Sequence, residues 1–409
     1  MGPVSRSIAC GSLLAAFLGG CCLEVSGSSS DPSTATGSTG GGGSSGSSGS
    51  TTGFEDGGPI TGTLWIGGVG ALDTRGVPRT GNVPFDETCP YPPSAPVGVL
   101  AGPCAIDGAG DLWAHDWNDP SGALYVWTPD QLAQSCASAA PTITLFVRSF
   151  LGIAFDPDGN LWGANAYVLG GGVILGYPSE NLKTSGSPSA AWLLIGECGA
   201  PNALCGTDCL AFDADGYLWV GGTGLQAFSP STRTGLNDGG LDGTGPLADL
   251  YLTTSCGDGG TDCVDNFLNL AFDTAGTLWA WTTVSTGSSP GVYHLMAYNR
   301  AQLQNASNDH VPQPVRDIVF SFPNQPYFAG ALAFDADGDL WVGSIPVSDG
   351  GATTLFRLPR ETLALDAGSH PTPAAPDVSI NAPGPDWRNA PQGFSLAFSP
   401  IPPGLPIQP

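Results

Sequence analysis

The sequence predicts an all-β fold of six similar four-stranded sheets. Three observations support this: a repeated phrase, two half-phrases at the chain ends, and many turn residues, with 61 Gly and 37 Pro. The phrase is an apolar segment ending in Asp, a short glycine turn and Leu-Trp. Its copies are Ile153-Ala-Phe-Asp156 with Gly159-Asn-Leu-Trp162, Leu210-Ala-Phe-Asp213 with Gly216-Tyr-Leu-Trp219, Leu270-Ala-Phe-Asp273 with Gly276-Thr-Leu-Trp279, Leu332-Ala-Phe-Asp335 with Gly338-Asp-Leu-Trp341, and the degenerate Ala105-Ile-Asp107 with Gly110-Asp-Leu-Trp113. Such internal repetition indicates a repeat architecture.

The two ends of the repeated region each contain half of the phrase. Gly62-Thr-Leu-Trp65 is a second half without a first, and Leu396-Ala-Phe-Ser399 is a first half without a second. A closed ring explains this offset, because the last strand would complete the sheet begun by the first segment. We therefore expect a six-bladed β-propeller with four-stranded blades, closed by pairing of residues 395–398 with residues 63–66, which leaves only short, protected sheet edges.

Within each blade, the phrase predicts the first two strands. The apolar triplet is the inner strand, whose side chains alternate between two faces. Asp and Gly form a hairpin turn, and the Trp of the second strand fills the gap between neighbouring sheets. A third strand, a short turn and an outer strand that begins after proline follow. Examples are third strands at 124–127, 174–177 and 355–358, turns at 129–132, 178–182 and 359–363, and outer strands at 141–145 and 314–318.

The phrase Phe-Asp-x-x-Gly-x-Leu-Trp resembles the six-bladed propellers of the NHL-repeat and regucalcin/gluconolactonase type and the related streptogramin lyases, over about residues 54–400. The resemblance implies the fold but no particular activity, because propellers have unrelated functions. Catalytic regucalcin-like members hold a divalent cation over the central channel with Glu, Asn and Asp, and these ligands do not align here. The paired histidines of the lyases are missing, since the four histidines of this chain are scattered: His115, His294, His310 and His370.

The N-terminus predicts export and lipid attachment. Residues 1–20 resemble a lipoprotein signal peptide, with one early positive charge and an apolar run too short to span a bilayer. Leu18-Gly19-Gly20-Cys21 resembles a bacterial lipobox, which places the lipid on Cys21. An ordinary signal peptide cut elsewhere is the alternative, and Cys22 is a second candidate for acylation. The lack of Asp after the cysteine favours the outer membrane or cell surface, by analogy with Gram-negative bacteria.

A disordered tether is predicted between the lipid and the folded domain. Residues 21–53 form this segment, and 26–53 contain 11 Ser, 9 Gly and 5 Thr. Such a segment cannot bury enough apolar surface to fold, and as a flexible coil it would span roughly 30 Å. The propeller domain is then 54–409, a monomer held off a membrane surface.

Charge excludes one class of partner. The net charge is −25 and Lys183 is the single lysine, so no basic face exists for nucleic acid. The acidity is compatible with binding of calcium or another divalent cation, or simply with solubility. The partners that remain are the membrane through the lipid, and a protein, glycan or small ligand on one face of the propeller.

Eight cysteines follow the two at the lipobox, and an exported protein permits disulfides. Short-loop pairs are Cys256 with Cys263, Cys198 with Cys205, and Cys89 with Cys104, which leaves Cys136 and Cys209 to connect neighbouring blades. Eight cysteines allow 105 pairings, so other connectivities stay open. Most of these cysteines lie between an outer strand and the next inner strand, on the face where we expect binding.

Polar residues at the same loop-rich face are the candidate site. They are His115, Asp116, Asn118, Asn165, Asp208, Asp265 and Asn266. Together they suit a metal or sugar site, and the alternative is that they cap loops. The Asp-x-Asp-Gly turns, such as the one at Asp213, invite a calcium interpretation. They lack the remaining ligands of a calcium loop, and we expect hairpin turns on the opposite face.

The sequence therefore leaves two hypotheses. The favoured one is a surface-tethered, non-catalytic propeller that binds a partner or ligand on its loop-rich face. The alternative is a divalent-metal-dependent lactonase or lyase.

Overall fold

The computed structural model describes part of the chain. The described residues are 62–66, 70–74, 81–84, 89–90, 102–116, 122–134, 140–165, 172–195, 207, 209–234, 248–253, 262–286, 292–306, 312–320, 327–346, 353–364, 372–373, 378–382 and 396–399. The chain divides into two units, Met1–Glu55 and Asp56–Pro409, and every described residue belongs to the second. The predicted signal peptide, Cys21 and the tether lie outside the described residues and stay predictions.

Short strands dominate the described part of the chain. The strands of its first half are β1 (Thr63–Ile66), β2 (Gly70–Asp73), β3 (Gly81–Pro84), β4 (Cys89–Pro90), β5 (Cys104–Ile106), β6 (Leu112–His115), β7 (Ala123–Trp127), β8 (Ile143–Phe146), β9 (Gly152–Phe155), β10 (Leu161–Asn165), β11 (Val173–Tyr177) and β12 (Trp192–Ile195). Those of its second half are β13 (Cys209–Phe212), β14 (Leu218–Gly221), β15 (Gly224–Phe228), β16 (Leu250–Thr253), β17 (Asp262–Phe272), β18 (Leu278–Thr286), β19 (Val292–Tyr298), β20 (Arg316–Phe320), β21 (Tyr327–Phe334), β22 (Leu340–Pro346), β23 (Thr353–Leu358), β24 (Thr372–Pro373), β25 (Val378–Ala382) and β26 (Leu396–Ser399).

The described strands form six sheets, which we number along the chain. Their strand orders are β5-β6-β7-β8 (first), β9-β10-β11-β12 (second), β13-β14-β15-β16 (third), β17-β18-β19-β20-β24 (fourth), β21-β22-β23-β25-β3 (fifth) and β26-β1-β2-β4 (sixth). The first four strands of each sheet are antiparallel. The fourth and fifth sheets each gain a fifth strand, β24 or β3, which pairs in parallel. The fold is therefore an all-β propeller with four-stranded antiparallel blades.

Strands from both ends of the chain share the sixth sheet. Thr63 lies opposite Ser399, and Ile66 lies opposite Leu396, so β26 pairs antiparallel with β1. The two half-phrases were expected to pair through residues 395–398 and 63–66. The observed pairing joins 396–399 to 63–66, one residue further along the C-terminal strand. The first strands of successive sheets also contact one another, in the order β26, β5, β9, β13, β17, β21 and again β26.

The core lies between neighbouring sheets, because each strand directs alternate side chains to its two faces. Four apolar clusters fill the described spaces between the first and fifth sheets. Four of the repeated tryptophans belong to these clusters and are at most 4% exposed: Trp113, Trp162, Trp219 and Trp279. Trp341, in the second strand of the fifth sheet, is fully buried. The prediction that the repeated tryptophans fill the gaps between blades is confirmed at the first four positions, and burial is confirmed at Trp341.

The turns predicted after the third strands are short helices, which corrects the sequence analysis. They are α1 (Pro129–Gln134), α2 (Pro230–Thr234), α3 (Arg300–Gln304), α4 (Arg360–Ala364) and a 3-10 turn at Ser179–Leu182. The clearest reason is at α3, where Asn299 and Gln302 form a reciprocal capping box. Within the described residues, no helix is long and apolar enough to cross a membrane.

Candidate functional site

The antiparallel order gives each blade two different ends. The turn between the first and second strands shares one end with the short helix between the third and fourth; we refer to this end as the turn face. The loop between the second and third strands shares the other end with the connection to the next blade; we refer to this end as the loop face. The predicted site lies on the loop face.

On the turn face, one hydrogen-bonding pattern repeats in five blades. In the third sheet, Asp213 Oδ1 accepts bonds of 2.9 Å from the backbone N–H groups of Asp215 and Tyr217. Its Oδ2 accepts a 3.0 Å bond from Trp219 Nε1. The equivalent Asp-to-Trp distances are 2.9–3.1 Å for Asp107 and Trp113, Asp156 and Trp162, Asp273 and Trp279, and Asp335 and Trp341. The repeated carboxylates thus form hairpin turns and hold the buried indoles, as the hairpin interpretation expected.

Burial sets the charge of some of these carboxylates. Desolvation raises the pKa of Asp335 to about 6, although the hydrogen bond from Trp341 acts to lower it. The pKa of Asp213 is also raised, mainly by desolvation, although three hydrogen bonds oppose the shift. Desolvation, assisted by the charge of Asp107, raises the pKa of Asp111 to about 6.

On the loop face, the structure brings two predicted residues, His115 and Asn165, close to one connecting segment, 147–151. His115 and Asp116, at the end of β6, are 0% and 1% exposed. The His115 ring is 5.7 Å from the Phe150 ring. Asn165, at the end of β10, donates to the carbonyl oxygen of Ser149. All three residues lie at or next to the ends of their strands and are buried, and their role in binding stays a prediction.

Asp265 and Asn266 lie in β17, at a β-bulge. The register with β18 shifts between Val264 and Asn266, so that Asp265 is the extra residue. A second shift follows between Phe267 and Asn269. Bulges bend a strand, redirect its side chains and are frequent near functional sites. The bulge therefore places this predicted pair where the strand departs from the regular blade.

The remaining predicted site residues are not settled by the structure. Asn118, Asp208, Cys136, Cys198, Cys205 and Cys256 lie outside the described residues, as do the side chains of Cys89 and Cys263. Cys104 and Cys209 are buried, and the Cys209 sulfur is 3.6 Å from the Phe267 carbonyl oxygen. The disulfide pairings stay predictions. Among the described side chains, no group of three or more His, Cys, Asp or Glu is arranged to hold a metal ion.

The sequence analysis missed a buried arginine on the turn face. Arg233 of α2 is 6% exposed and lies between the second and third sheets. Its Nη1 donates to Asp156 Oδ2 at 2.9 Å, and its Nη2 donates to the Gly216 carbonyl oxygen at 2.7 Å. The guanidinium carbon is 5.3 Å and 4.8 Å from the ring centroids of Trp162 and Phe212. Its signal in the sequence is an arginine at a position where the other described helices have leucine.

A cavity opens at the next junction on the same face, between the third and fourth sheets. Its volume is about 370 Å³, within the usual range for ligand pockets of about 300–1,000 Å³. The apolar part of the lining comes from Trp219, Ala227, Leu250, Phe272, Leu303 and Ala306. Asp213, Asp215, Asp249 and Arg300 supply charge, and Arg300 pairs with Asp215 at the solvent-exposed rim. This cavity was not predicted, because it depends on contacts between blades.

The fold thus defines a β-propeller with a loop face and a turn face of different character. No family model matches the chain. No curated protein matches it either.

Among solved structures, the WD40 domain of coronin from Toxoplasma gondii is 10% identical, over 73% of this chain and 74% of that chain, with a TM-score of 0.37. A protein from Lactobacillus plantarum is 13% identical, over 73% and 79%, with a TM-score of 0.40. A presumed gluconolactonase is 18% identical, over 48% and 58%, with a TM-score of 0.29. Because these TM-scores are below 0.5, the likeness supports no argument about the function of this chain.

Proposed function

We propose that this protein is a surface-tethered lipoprotein whose six-bladed, closed propeller binds a protein, glycan or small ligand on its loop face without catalysing a reaction. The observation on which this depends is a raised wall on that face. In the fourth and fifth sheets, β17, β18, β21 and β22 are 11, 9, 8 and 7 residues long, whereas the first two strands of the other sheets have three to five.

The extra length lies entirely at the loop face. At the turn face, Phe272 lies opposite Leu278, as Phe155 lies opposite Leu161 in the second sheet. At the other end, β17 and β18 continue to the pair of Asp262 and Thr286. The fourth and fifth sheets are neighbours, since β17 contacts β21. Together they form a continuous wall on one side of the loop face, a shape that suits a partner held against that side.

Two features support a closed ring of six blades. The strand β1 is hydrogen-bonded on both sides, to β2 and to β26, so the chain ends share one sheet. The contacts between first strands also return from β21 to β26 and from β26 to β5. A ring has only short, protected sheet edges, which suits a domain exposed outside the cell.

The anchoring part of the proposal depends on the lipobox ending at Cys21 and on the tether, residues 21–53. One acyl chain gives only marginal membrane binding, so stable attachment requires the several chains of a bacterial lipoprotein. Replacing Cys21 by Ser should release the protein from membranes or leave the precursor unprocessed. Unchanged fractionation and an unchanged mass of the N-terminal peptide would contradict lipid attachment.

The binding part can be tested by site-specific cross-linking in intact cells. A photoreactive amino acid at Thr283, in the wall on β18, should produce an adduct of defined mass. The same amino acid at Asp158, exposed on the turn face, is the matched control and should produce none. Equal adducts at both positions, adducts at 158 alone, or none at either would contradict binding on the loop face.

An activity assay distinguishes binding without catalysis from the enzymatic alternative. The purified chain is incubated with a panel of lactones and with calcium, manganese or zinc, before and after treatment with a chelator. We expect no turnover in any condition. Metal-dependent turnover that the chelator abolishes would replace the proposal with a lactonase or lyase.

A further inference from the structure

One position after the third strand faces the junction with the preceding blade in the second to fifth sheets. It is the fifth residue after the last residue of the strand. In the first to fifth sheets it is occupied by Leu132, Leu182, Arg233, Leu303 and Leu363. Only the third sheet has an arginine among these, and the four groups that hold it come from the repeated phrase. The phrase therefore supplies a similar set of groups at the following junction.

Those four groups recur between the third and fourth sheets, where Leu303 takes the position of the buried arginine. Arg233 contacts Asp156, Trp162, Phe212 and Gly216. Their counterparts one blade later are Asp213, Trp219, Phe272 and Gly276, and all four line the 370 Å³ cavity. The rings also keep the same arrangement. Trp162 and Phe212 are 6.4 Å apart at 63°, and Trp219 and Phe272 are 6.3 Å apart at 60°.

Ring spacing alone does not produce the cavity, because Trp279 and Phe334 are also 6.2 Å apart at the next junction. A second arginine helps to fill that junction. Arg316 of β20 is 5% exposed, and its Nη2 donates to the Thr362 carbonyl oxygen at 3.1 Å. Arg316 lies opposite Ala297, and the residue at the same register of the third sheet is Leu250, opposite Ala227. The third–fourth junction thus has leucine at both of these positions, Leu303 and Leu250. Each neighbouring junction has arginine at one of them, Arg233 or Arg316.

The charged side chains around the cavity favour the binding of a cationic ligand. Asp213 keeps its indole bond to Trp219, but among the described residues no guanidinium bonds it as Arg233 bonds Asp156. Desolvation raises the pKa of Asp213, and a bound cation would oppose that shift. Arg300 pairs with Asp215 rather than Asp213, and both partners are more than 40% exposed. An exposed pair of this kind is weak and able to move aside.

We propose that this cavity binds an alkylguanidinium ligand, the side chain of an arginine that is free or part of a partner polypeptide. The guanidinium would donate to Asp213 Oδ2 and to the Gly276 carbonyl oxygen. It would lie between the Trp219 and Phe272 rings, as Arg233 does one junction earlier. Planar guanidinium groups combine forked hydrogen bonding with stacking on aromatic faces, which an ammonium group does less well. The site is on the turn face and is independent of the function proposed for the loop face.

The first test is calorimetric titration of the purified full-length chain with N-acetyl-L-arginine methylamide. We expect saturable binding of one molecule per chain and a raised melting temperature. The lysine analogue should bind at least several-fold more weakly, and the norleucine analogue, without a cation, should not bind. Tighter binding of the blocked arginine than of free L-arginine would indicate a polypeptide source, and the reverse a small molecule. Absence of arginine binding, or equal binding of all three analogues, would overturn the proposal.

Variants test the position of the site. Leu303→Arg should fill the cavity from within, as Arg233 fills its neighbour, and abolish binding. Asp213→Asn should weaken binding about tenfold to a hundredfold, because a hydrogen bond to a charged group is lost. Asp335→Asn changes the same kind of turn two blades later, away from the cavity, and is the matched control; it should bind as the unchanged chain does.

A gain of binding is the converse test. Arg233→Leu should open an equivalent cavity between the second and third sheets, so that two probes bind per chain and restore part of the lost melting temperature. Unchanged binding by Leu303→Arg, an equal loss in Asp213→Asn and Asp335→Asn, or a single site in Arg233→Leu would each overturn the proposal.

Discussion

The turn face and the loop face belong to the same blades but differ in regularity. On the turn face, five aspartates repeat the same bonds to five tryptophans, and five glycines at the turns have φ between 76° and 85°, a region where side chains are strained. On the loop face, strand lengths, bulges and connections differ from blade to blade. The difference teaches that the repeat builds the scaffold, and that the blades differ from one another where the repeat is broken.

The largest expected effect comes from removing β26, because it pairs with β1 and contacts the first strands of the first and fifth sheets. Deleting residues 395–409 removes β26 and leaves β1 and the neighbouring inner strands exposed at an edge. We expect a large loss of stability in chemical denaturation. Deleting residues 400–409, which keeps β26, is the control and should change little. If the longer deletion melts like the unchanged chain, the scaffold does not depend on closure.

A core truncation on the turn-face side should have the next largest effect. Trp219 is 4% exposed, and Trp219→Ala should lower the free energy of unfolding by about 3–5 kcal/mol, as large core truncations do. Phe146→Ala, at a side chain that is 45% exposed, is the control and should stay within about 0.5 kcal/mol. Strong quenching of the native tryptophan fluorescence by iodide would contradict burial of the repeated indoles.

The repeated turn also predicts a dependence on pH. In the folded protein the pKa of Asp335 is raised from 3.8 to about 6, so folding favours its protonated form. The stabilisation is complete below about pH 3.8 and is lost as the pH rises through about 6. Asp335→Asn cannot titrate and should cost about 1–3 kcal/mol, by leaving the Trp341 N–H poorly bonded. That cost should be larger at pH 4.5 than at pH 6.5.

Denaturant unfolding of both proteins at the two pH values measures this difference, which includes the lost repulsion of Asp335 with Asp337 and Asp339. If Asp335→Asn destabilises the protein more at the higher pH, the pKa of Asp335 in the folded protein is lowered rather than raised.

The smallest effect is expected on the loop face. Asn165→Ala removes the bond to the Ser149 carbonyl oxygen and should cost about 0.5–1.5 kcal/mol. The matched comparison is Asn160→Ala, which removes the hydrogen bond that the Asn160 side chain donates to Asp156 on the turn face of the same blade. Equal costs would indicate that the two ends of this blade are equally rigid. A cost at Asn165 well above that at Asn160 would reverse the comparison.

Most of the blade was predictable from the sequence, because the alternation of side chains along strands requires the repeated tryptophans to share one register. The bond from each Asp to its Trp was not, since it depends on how the turn folds back over the second strand. The parallel strands β3 and β24 were also missed, because no repeat contains them. Arg233 and the cavity depend on contacts between blades, so only alignment of the five helical segments would have singled out that arginine.

The position of the chain ends has a consequence for how this chain can be rearranged. Thr63 and Ser399 are opposite each other in adjacent antiparallel strands, where the other blades have an Asp turn. The sixth sheet is therefore joined by hydrogen bonds alone at the place where the other five sheets have a covalent turn. A turn of a few residues that joins 399 to 63, with new termini between Pro157 and Asp158, would give a circular permutant in which the strands keep their pairing within each sheet but follow a new order along the chain.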